Sequence, residues 1–585
     1  MNFTFMSKVV LLAINAKYVH SALSVWVLAG GVYRYAHMPH DVNIAEATIH
    51  HPNIEIADKV AAYQPDIIGV STYIWNAKKL PALQKLLRER LPDVIIVLGG
   101  PEASHNAKHW LSCGADFVLP GEGEYTFPAL LDALAAVEKC NKDQLKKRYE
   151  AQALSHTTSD KNQNTVSLPE ALRGNEFEAE KPYEPIDPYT DAYFAALGGR
   201  IAYLETSRGC PFQCAFCLSA GSSVKYIPIE TAKEQIYKLS RAQSQTIKLV
   251  DRTFNCNKDR AYELFEYIIE LNTTRCFHFE VAADLFDTRL LELLKTAPAG
   301  RIQLEAGIQS YYEPTQKAAI RQMDIEKAEQ NLRELLLGRN IHIHVDLIAG
   351  LPYETLPEFQ NSFDRAYSIG AHTLQLGFLK LLHGSELRRQ AGALGIQYSK
   401  EPPYEIKSSP WLAAEDIQTL KQAENALQHT HNKSRFLSAL EYVLSVSGLR
   451  PFALYEAIGR AAPNHGTDLV DYAEQIYNFC NTLPGVDDKV LKDRMLCDWL
   501  SMVKGKNTPS FLKKQNNGHK QVAIAAKKRL GHTISRAEAA VLNSGTGVFV
   551  DSENRDPVTG LYRIYYTSDD ENTDYNHQGI IQTRL

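Results

Sequence analysis

Three of the chain's nine cysteines fall within one short run, "RGCPFQCAFC", as Cys210, Cys214 and Cys217. Their spacing is C-x3-C-x2-C, and they directly follow a strand-like segment, "RIAYLE". Three thiolates on one tight loop can hold three irons of a four-iron cluster and leave the fourth iron open to a substrate. A closed structural zinc site asks for four ligands in two pairs set well apart. No second pair accompanies this triplet, so a [4Fe-4S] cluster is the better chemical fit, with zinc as the alternative. The other cysteines are scattered and make no disulfide framework, as expected where thiols stay reduced.

Such a loop needs a scaffold, and the sequence offers one. At 585 residues the chain is too long for a single domain. Residues 1–140 alternate apolar strands with helical patterns: "VVLLAI", "DIIGVS", "VIIVLGG" and "ADFVL", with "ALQKLLRERL" as an amphipathic helix between two of them. This alternation predicts a doubly wound, Rossmann-like α/β domain with a parallel sheet. Ligands of such sheets sit beyond the carboxyl ends of the strands. There the sequence places Ser71 and Thr72, Gly99 and Gly100, and Gly121 and Glu122. Residues 141–198 are polar and then proline-rich, and read as a linker. From 199 to 395 six strand-like runs alternate with helices, from "RIAYLET" through "TIKLVD", "FHFEVA", "RIQLEAGIQ" and "IHIHVDLIAGLP" to "TLQLGFLKL". They predict a partial (β/α)6 barrel with its site at the carboxyl strand ends. Residues 396–585 have helical periodicity and a tail that reads as a short hairpin.

Composition excludes some classes. Hydrophobic residues make up 44% and charged residues 22%, and the formal net charge of −5 shows no basic excess that would point to nucleic acid. The apolar run from Val9 to Ile14 is too short for a signal peptide and lacks a cleavage pattern. No stretch approaches the roughly 18 uninterrupted apolar residues of a membrane helix. A cytoplasmic location without membrane partners is the expectation.

The cysteine triplet behind a first barrel strand resembles the radical S-adenosylmethionine superfamily. That resemblance implies roles for other positions. Phe216 resembles the aromatic whose backbone meets the adenine. Asp251, in "LVDRTFN", lies where the family binds the methionine amine. Glu305, in "EAGIQS", resembles the ribose-binding residue of the fourth strand, and Arg321 the arginine that pairs with the methionine carboxylate. "DLIAGLP", with Asp346 and Gly350, resembles the fifth-strand motif near the adenine. Period-two alternation also puts His342, His344 and Asp346 on one strand face. Those histidines read either as substrate or proton-handling groups or as hydrogen-bonded interior residues.

The leading domain, through "LGGPEAS", "GADFVLPGEGEYTF" and "NAKYVHSAL", is similar to the cobalamin-binding domain of cobalamin-dependent radical enzymes. It has no Asp-x-His-x-x-Gly pattern to supply a histidine to cobalt. Ser71, Thr72, Gly99, Gly100, Gly121 and Glu122 are then the expected cobalamin contacts, with Tyr73 and Trp75 at the corrin face. "KLLHGSELR", "PPYEI" and "RMLCDWL" resemble the uncharacterised C-terminal domain of one subgroup. The resemblance implies three cofactors (the cluster, S-adenosylmethionine and cobalamin) and an external donor of flavodoxin or ferredoxin type. It further implies a radical methyltransferase acting on an unactivated carbon of an unidentified substrate. Alternatives are a radical cyclase or rearrangement enzyme, a tRNA methylthiotransferase-like enzyme, and a non-catalytic cobalamin or cluster sensor. The methylthiotransferase would need a second cysteine set, yet only Cys113 and Cys140 precede the barrel.

Overall fold

The computed structural model describes residues 6–136, 185–463, 468–504, 508–512, 519–535, 538–543 and 545–567. The linker expected over 141–198 lies outside the described residues as far as 184. Beyond it, Asp191–Leu197 forms a helix capped by the Thr190 side chain, which accepts from the Tyr193 N–H. The chain divides into two compact units. One holds Met1–Val281, Lys317–Gln322 and Leu379–Ser409; the other holds Ala282–Gln316, Met323–Phe378 and Pro410–Leu585.

In the first unit, β1 (Ser7–Asn15), β2 (His40–Thr48), β3 (Ile67–Ser71), β4 (Ile95–Gly99) and β5 (Phe117–Leu119) form one sheet. The order is β2-β1-β3-β4-β5 and every pair is parallel. Val9 to Ile14 of β1 are all buried, the near-continuous apolar run that a sheet covered on both faces demands. The intervening helices are α1 (Leu23–Tyr35), α2 (Asn53–Ala61), α3 (Leu80–Arg90), α4 (Pro101–Ser104), α5 (Ala107–Ser112) and α6 (Gly123–Ala136). Helix α1 packs on α6 closely enough that a Cβ on Gly31 would lie 2.4 Å from the Glu124 carbonyl oxygen. Small residues in α1 thus fix the loop that leads into α6.

The same unit continues with β6 (Ala202–Leu204), the antiparallel pair β7 (Ser207–Cys210) and β8 (Ser222–Tyr226), then β9 (Thr246–Leu249) and β10 (Cys276–Val281). Strand β9 lies parallel to both β6 and β10.

The second unit carries β11 (Ile302–Gln309), β12 (His342–Ala349) and β13 (Thr373–Phe378), again parallel. Along β11 and β12 burial alternates strictly, so Ile302, Leu304, Ala306 and Ile308 face the core while Gln303 and Glu305 share the more open face. All six central strands expected from the sequence are present. The helices Ala414–His429, Leu437–Ser447, Pro451–Ala461, Leu469–Cys480 and Asp488–Met502 follow as expected.

The tail differs from the expectation. It is a three-stranded antiparallel sheet of Ala539–Val541, Gly547–Arg555 and Tyr562–Tyr566, backed by the helix His519–Leu530. The added strand is three residues long, too short to leave a period in the sequence. No helix among the described residues is long and apolar enough to cross a membrane.

Candidate functional site

The cysteine loop spans the gap between β7 and β8. Cys210 closes β7, and its N–H donates to the Ser222 hydroxyl at 3.1 Å. The β7–β8 register shifts between Arg208 and Cys210, a bulge at Gly209. Gly209 has φ +104°, and a Cβ there would lie 2.2 Å from the Ser223 carbonyl oxygen, so only glycine fits. The loop is stitched down on both sides. The Ala215 N–H donates to Ala319, the Leu387 N–H donates to Ala215, and the Cys217 N–H donates to Cys214.

Each thiol has a polar neighbour. Arg321 Nη1 stands 3.5 Å from Cys214 Sγ, the Ser219 N–H points at Cys217 Sγ across 3.4 Å, and Thr253 Oγ1 is 3.6 Å from Cys210 Sγ. Burial raises the Cys217 thiol above its ordinary range. All the described cysteines are free thiols. Three thiols on one backbone turn, with donors aimed at the sulfurs of Cys214 and Cys217, fit a cluster whose thiolates accept hydrogen bonds. Phe216, half-buried, sits in the turn between Cys214 and Cys217.

Asp251 departs from the amine-binding expectation. It is 1% exposed, and its oxygens accept from the Thr206 N–H (2.9 Å), the Thr206 hydroxyl (2.7 Å) and the Ser207 hydroxyl (2.6 Å). Burial raises its pKa despite those donors. Its carboxylate anchors the start of β7, which carries the cysteines.

At the carboxyl ends of the N-terminal sheet the expected residues take different parts. Gly121 has φ +77° and nothing within 4 Å of the place a Cβ would take, so its surroundings are open to a ligand. Gly100, φ +97°, serves packing instead: a Cβ there would lie 2.7 Å from the Thr72 carbonyl oxygen. Thr72 is fully buried, with its N–H on the Gly99 carbonyl at 2.7 Å, which makes it a lattice point between β3 and β4 rather than an exposed contact. The Ser71 hydroxyl pairs with that of Ser24 at 3.0 Å. Glu122 departs from a direct cofactor contact: its carboxylate meets Lys225 at 3.1 Å and Arg208 at 3.2 Å. Tyr73 and Trp75 stack at 4.3 Å, and the Trp75 indole N–H donates to the Ile14 carbonyl.

In the second unit, Glu305 stands opposite His344 in the β11–β12 register. His344 Nε2 lies 3.0 Å from Asp346 Oδ1, and ligand atoms of all three fall within 4.8 Å of one another. His342 is different. Its Nδ1 is 3.0 Å from the Val558 carbonyl and its Nε2 is 3.2 Å from the Thr373 hydroxyl, which makes it a hydrogen-bonded interior histidine. Gly350 follows β12 with φ +93°.

Residues 9–131 match the B12 binding domain, residues 204–366 the radical SAM superfamily, and residues 393–541 a family of unknown function, DUF4080. The chain thus joins a segment similar to the B12 binding domain to one similar to the radical SAM superfamily. The cobalamin-dependent radical SAM methyltransferase TokK of Streptomyces tokunonensis is 25% identical over 338 residues, 55% of this chain and 47% of TokK. The anaerobic magnesium-protoporphyrin IX monomethyl ester cyclase of Synechocystis is 26% identical over 314 residues, 52% of this chain and 60% of the cyclase. The chain thus spans about half the length of several curated relatives it matches. The solved structure of the cobalamin-dependent S-adenosylmethionine radical enzyme OxsB, with aqua-cobalamin and S-adenosylmethionine bound, shares the fold. Its TM-score is 0.53 at 14% identity, covering 84% of this chain and 78% of OxsB.

Two features of the site escaped the sequence reading. One is Arg208, immediately before the Gly-Cys step, which pairs with Glu122, Glu124 and Glu205. The other is Glu354, fully buried, whose Oε1 accepts from the hydroxyls of Ser310 (2.6 Å) and Ser362 (2.8 Å). Burial pushes its pKa up to about 7. No spacing pattern marks either residue, because Glu122 and Glu124 for Arg208 and Ser310 for Glu354 are remote in sequence.

Proposed function

We propose that the chain is a cobalamin-dependent radical S-adenosylmethionine enzyme that methylates an unactivated carbon. The observation that carries this reading is the Cys210–Cys217 loop, which follows β7 behind a segment similar to the B12 binding domain and has Arg321 beside Cys214. When bound, the cluster supplies a single electron to S-adenosylmethionine and cobalamin supplies methyl transfer, the chemistry no side chain provides. The residues of the chain bind and orient. Cys210, Cys214 and Cys217 hold the irons, and Asp251 with Thr206 and Ser207 keeps their strand in place. Arg321 offers its guanidinium to the methionine carboxylate, and the Phe216 backbone meets the adenine. In the second unit Glu305 accepts from the ribose hydroxyls, with Asp346 and Gly350 at the end of the neighbouring strand. The open space around Gly121, together with Ser71 and Gly99, lines the cobalamin site. An external donor of flavodoxin or ferredoxin type supplies the electron, and the protein works in the cytoplasm.

The test is anaerobic analysis of purified full chain for iron, sulfide and cobalt. The expectation is about four irons per chain, cobalt after loading with hydroxocobalamin, and formation of 5′-deoxyadenosine from S-adenosylmethionine under a reductant. Cys214→Ala should lose the iron, whereas Cys480→Ala, in the helical region, should keep it. Full iron in the Cys214→Ala chain would overturn the reading. A second reading, radical cyclisation, draws support from the likeness to the cyclase. It predicts no transfer of labelled methyl from S-adenosylmethionine to product.

A further inference from the structure

Arg208 sits on β7 one residue before the bulge at Gly209 and two before Cys210, and it reaches across to the loop between β5 and α6. Its Nη1 lies 2.7 Å from Glu124 and 3.2 Å from Glu122, and its Nη2 lies 2.6 Å from Glu205. Lys225, its register partner on β8, holds Glu122 at 3.1 Å. Both strands of the hairpin that carries the cysteines are therefore tied to one short stretch, Gly121–Glu124, where the chain leaving β5 enters α6. That loop cannot easily give way from behind, because α1 presses Gly31 against the Glu124 backbone. The Glu124 side chain is 8% exposed and Arg208 is 26% exposed, so solvent screens the pair less than it would a surface ion pair.

The geometry points to Arg208 as a positioning residue that sets the spacing between the two metal cofactors. This inference rests on the proposed function, since it needs a cluster on the hairpin and cobalamin at the Gly121 loop. The guanidinium is suited to this because its planar fork can serve several carboxylates at once, each in a fixed direction. A lysine there would keep the charge and lose the direction. Arg208 touches neither reacting carbon nor metal in this role. It keeps the cysteine hairpin from sliding against the loop that frames the cobalamin, so that both cofactors address one substrate position.

The experiment uses the full chain reconstituted with cluster and cobalamin. Pulsed electron paramagnetic resonance reads the distance between cob(II)alamin and the reduced cluster, and a titration reads cobalamin affinity. The native chain should give one narrow distance. Arg208→Ala should retain its iron, broaden the distance distribution and weaken cobalamin binding roughly tenfold. Arg208→Lys should fall between the two. Glu124→Gln, which keeps the shape and removes one of the three charges, should broaden the distance in the same direction while the melting temperature and circular dichroism stay native, which a loss of general stability could not produce. Native-like distance and affinity in an iron-replete Arg208→Ala chain would overturn the inference and leave the proposed function standing. A native chain that loads iron but no cobalamin would sink the cobalamin reading and this inference with it.

Discussion

Arg321 and Glu354 show how differently two charged side chains near strand ends can be used. Arg321 keeps a guanidinium N–H 3.5 Å from a cysteine sulfur. If it pairs with the methionine carboxylate there, Arg321→Ala removes a charge-assisted hydrogen bond worth about 1.5–3 kcal/mol. S-adenosylmethionine affinity should then fall roughly tenfold to a hundredfold while the iron content stays unchanged; titration of the cluster's paramagnetic resonance signal checks both. Glu354 makes the opposite use of its charge. Buried against two serine hydroxyls, its pKa rises from 4.5 to about 7. The folded state therefore holds this proton more tightly than the unfolded state does. The resulting stabilisation is complete below pH 4.5 and is lost as pH rises through about 7. Glu354→Gln, which imitates the protonated form, should raise the melting temperature at pH 8 by an amount equivalent to roughly 3 kcal/mol at most. It should have little effect near pH 4.5. An unchanged melting temperature at pH 8 would show that the carboxyl is already neutral or solvated there.

At the scale of elements, what could be read from sequence depended on whether a period was present. Strands β1 and β3 to β5 appear as apolar runs, and β11 and β12 as strict alternation. "IHIHVDLIA" accordingly told which side of β12 carries His344 and Asp346. The cysteine triplet was equally plain, since its spacing is itself the chemistry. The hairpin that carries the triplet was not legible. Strand β8 is "SSVKY", without an apolar period, and it pairs with β7 only because Gly209 takes φ +104° and lets the register slip. Nor did the sequence reveal that Asp251 and Glu122 spend their carboxylates on neighbours, because Thr206, Ser207, Arg208 and Lys225 meet them only through the fold. Gly209→Ala tests the hairpin directly. The new methyl would need to occupy space 2.2 Å from the Ser223 carbonyl and hold a left-handed backbone, a strain of about 1–3 kcal/mol. We expect the chain to stay folded, since β7 and β8 lie apart from the large parallel sheets, but to load far less iron. Far-ultraviolet circular dichroism and iron analysis separate these two effects.

The whole molecule bears on the state in which cobalamin would be held. In a parallel sheet every carboxyl end lies on one edge, and the loops after β3, β4 and β5 share it. Six of the seven histidines of the N-terminal domain are engaged elsewhere, and the seventh, His37, precedes β2 at the opposite edge of the sheet. His40 begins β2, at the opposite edge, with Nε2 3.5 Å from Asp132. His51 Nδ1 accepts from the Thr48 N–H at 2.9 Å, and His50 stacks on Tyr18. His20, on the loop after β1, holds the Tyr203 hydroxyl at 2.5 Å, and burial lowers its pKa. His109 lies 3.6 Å from Cys113 Sγ, and His105 is pressed against Gly384 so closely that a Cβ there would meet its Nδ1 at 2.4 Å. A ligand to cobalt would have to abandon one of these contacts and cross to the Gly121 loop. The full chain loaded with cob(II)alamin should therefore show an axial paramagnetic resonance spectrum without nitrogen superhyperfine splitting from a protein imidazole. His20→Ala should leave that spectrum unchanged. If splitting is present in the native chain and disappears in His20→Ala, the loop after β1 must rearrange on binding and release His20 from Tyr203 to the metal.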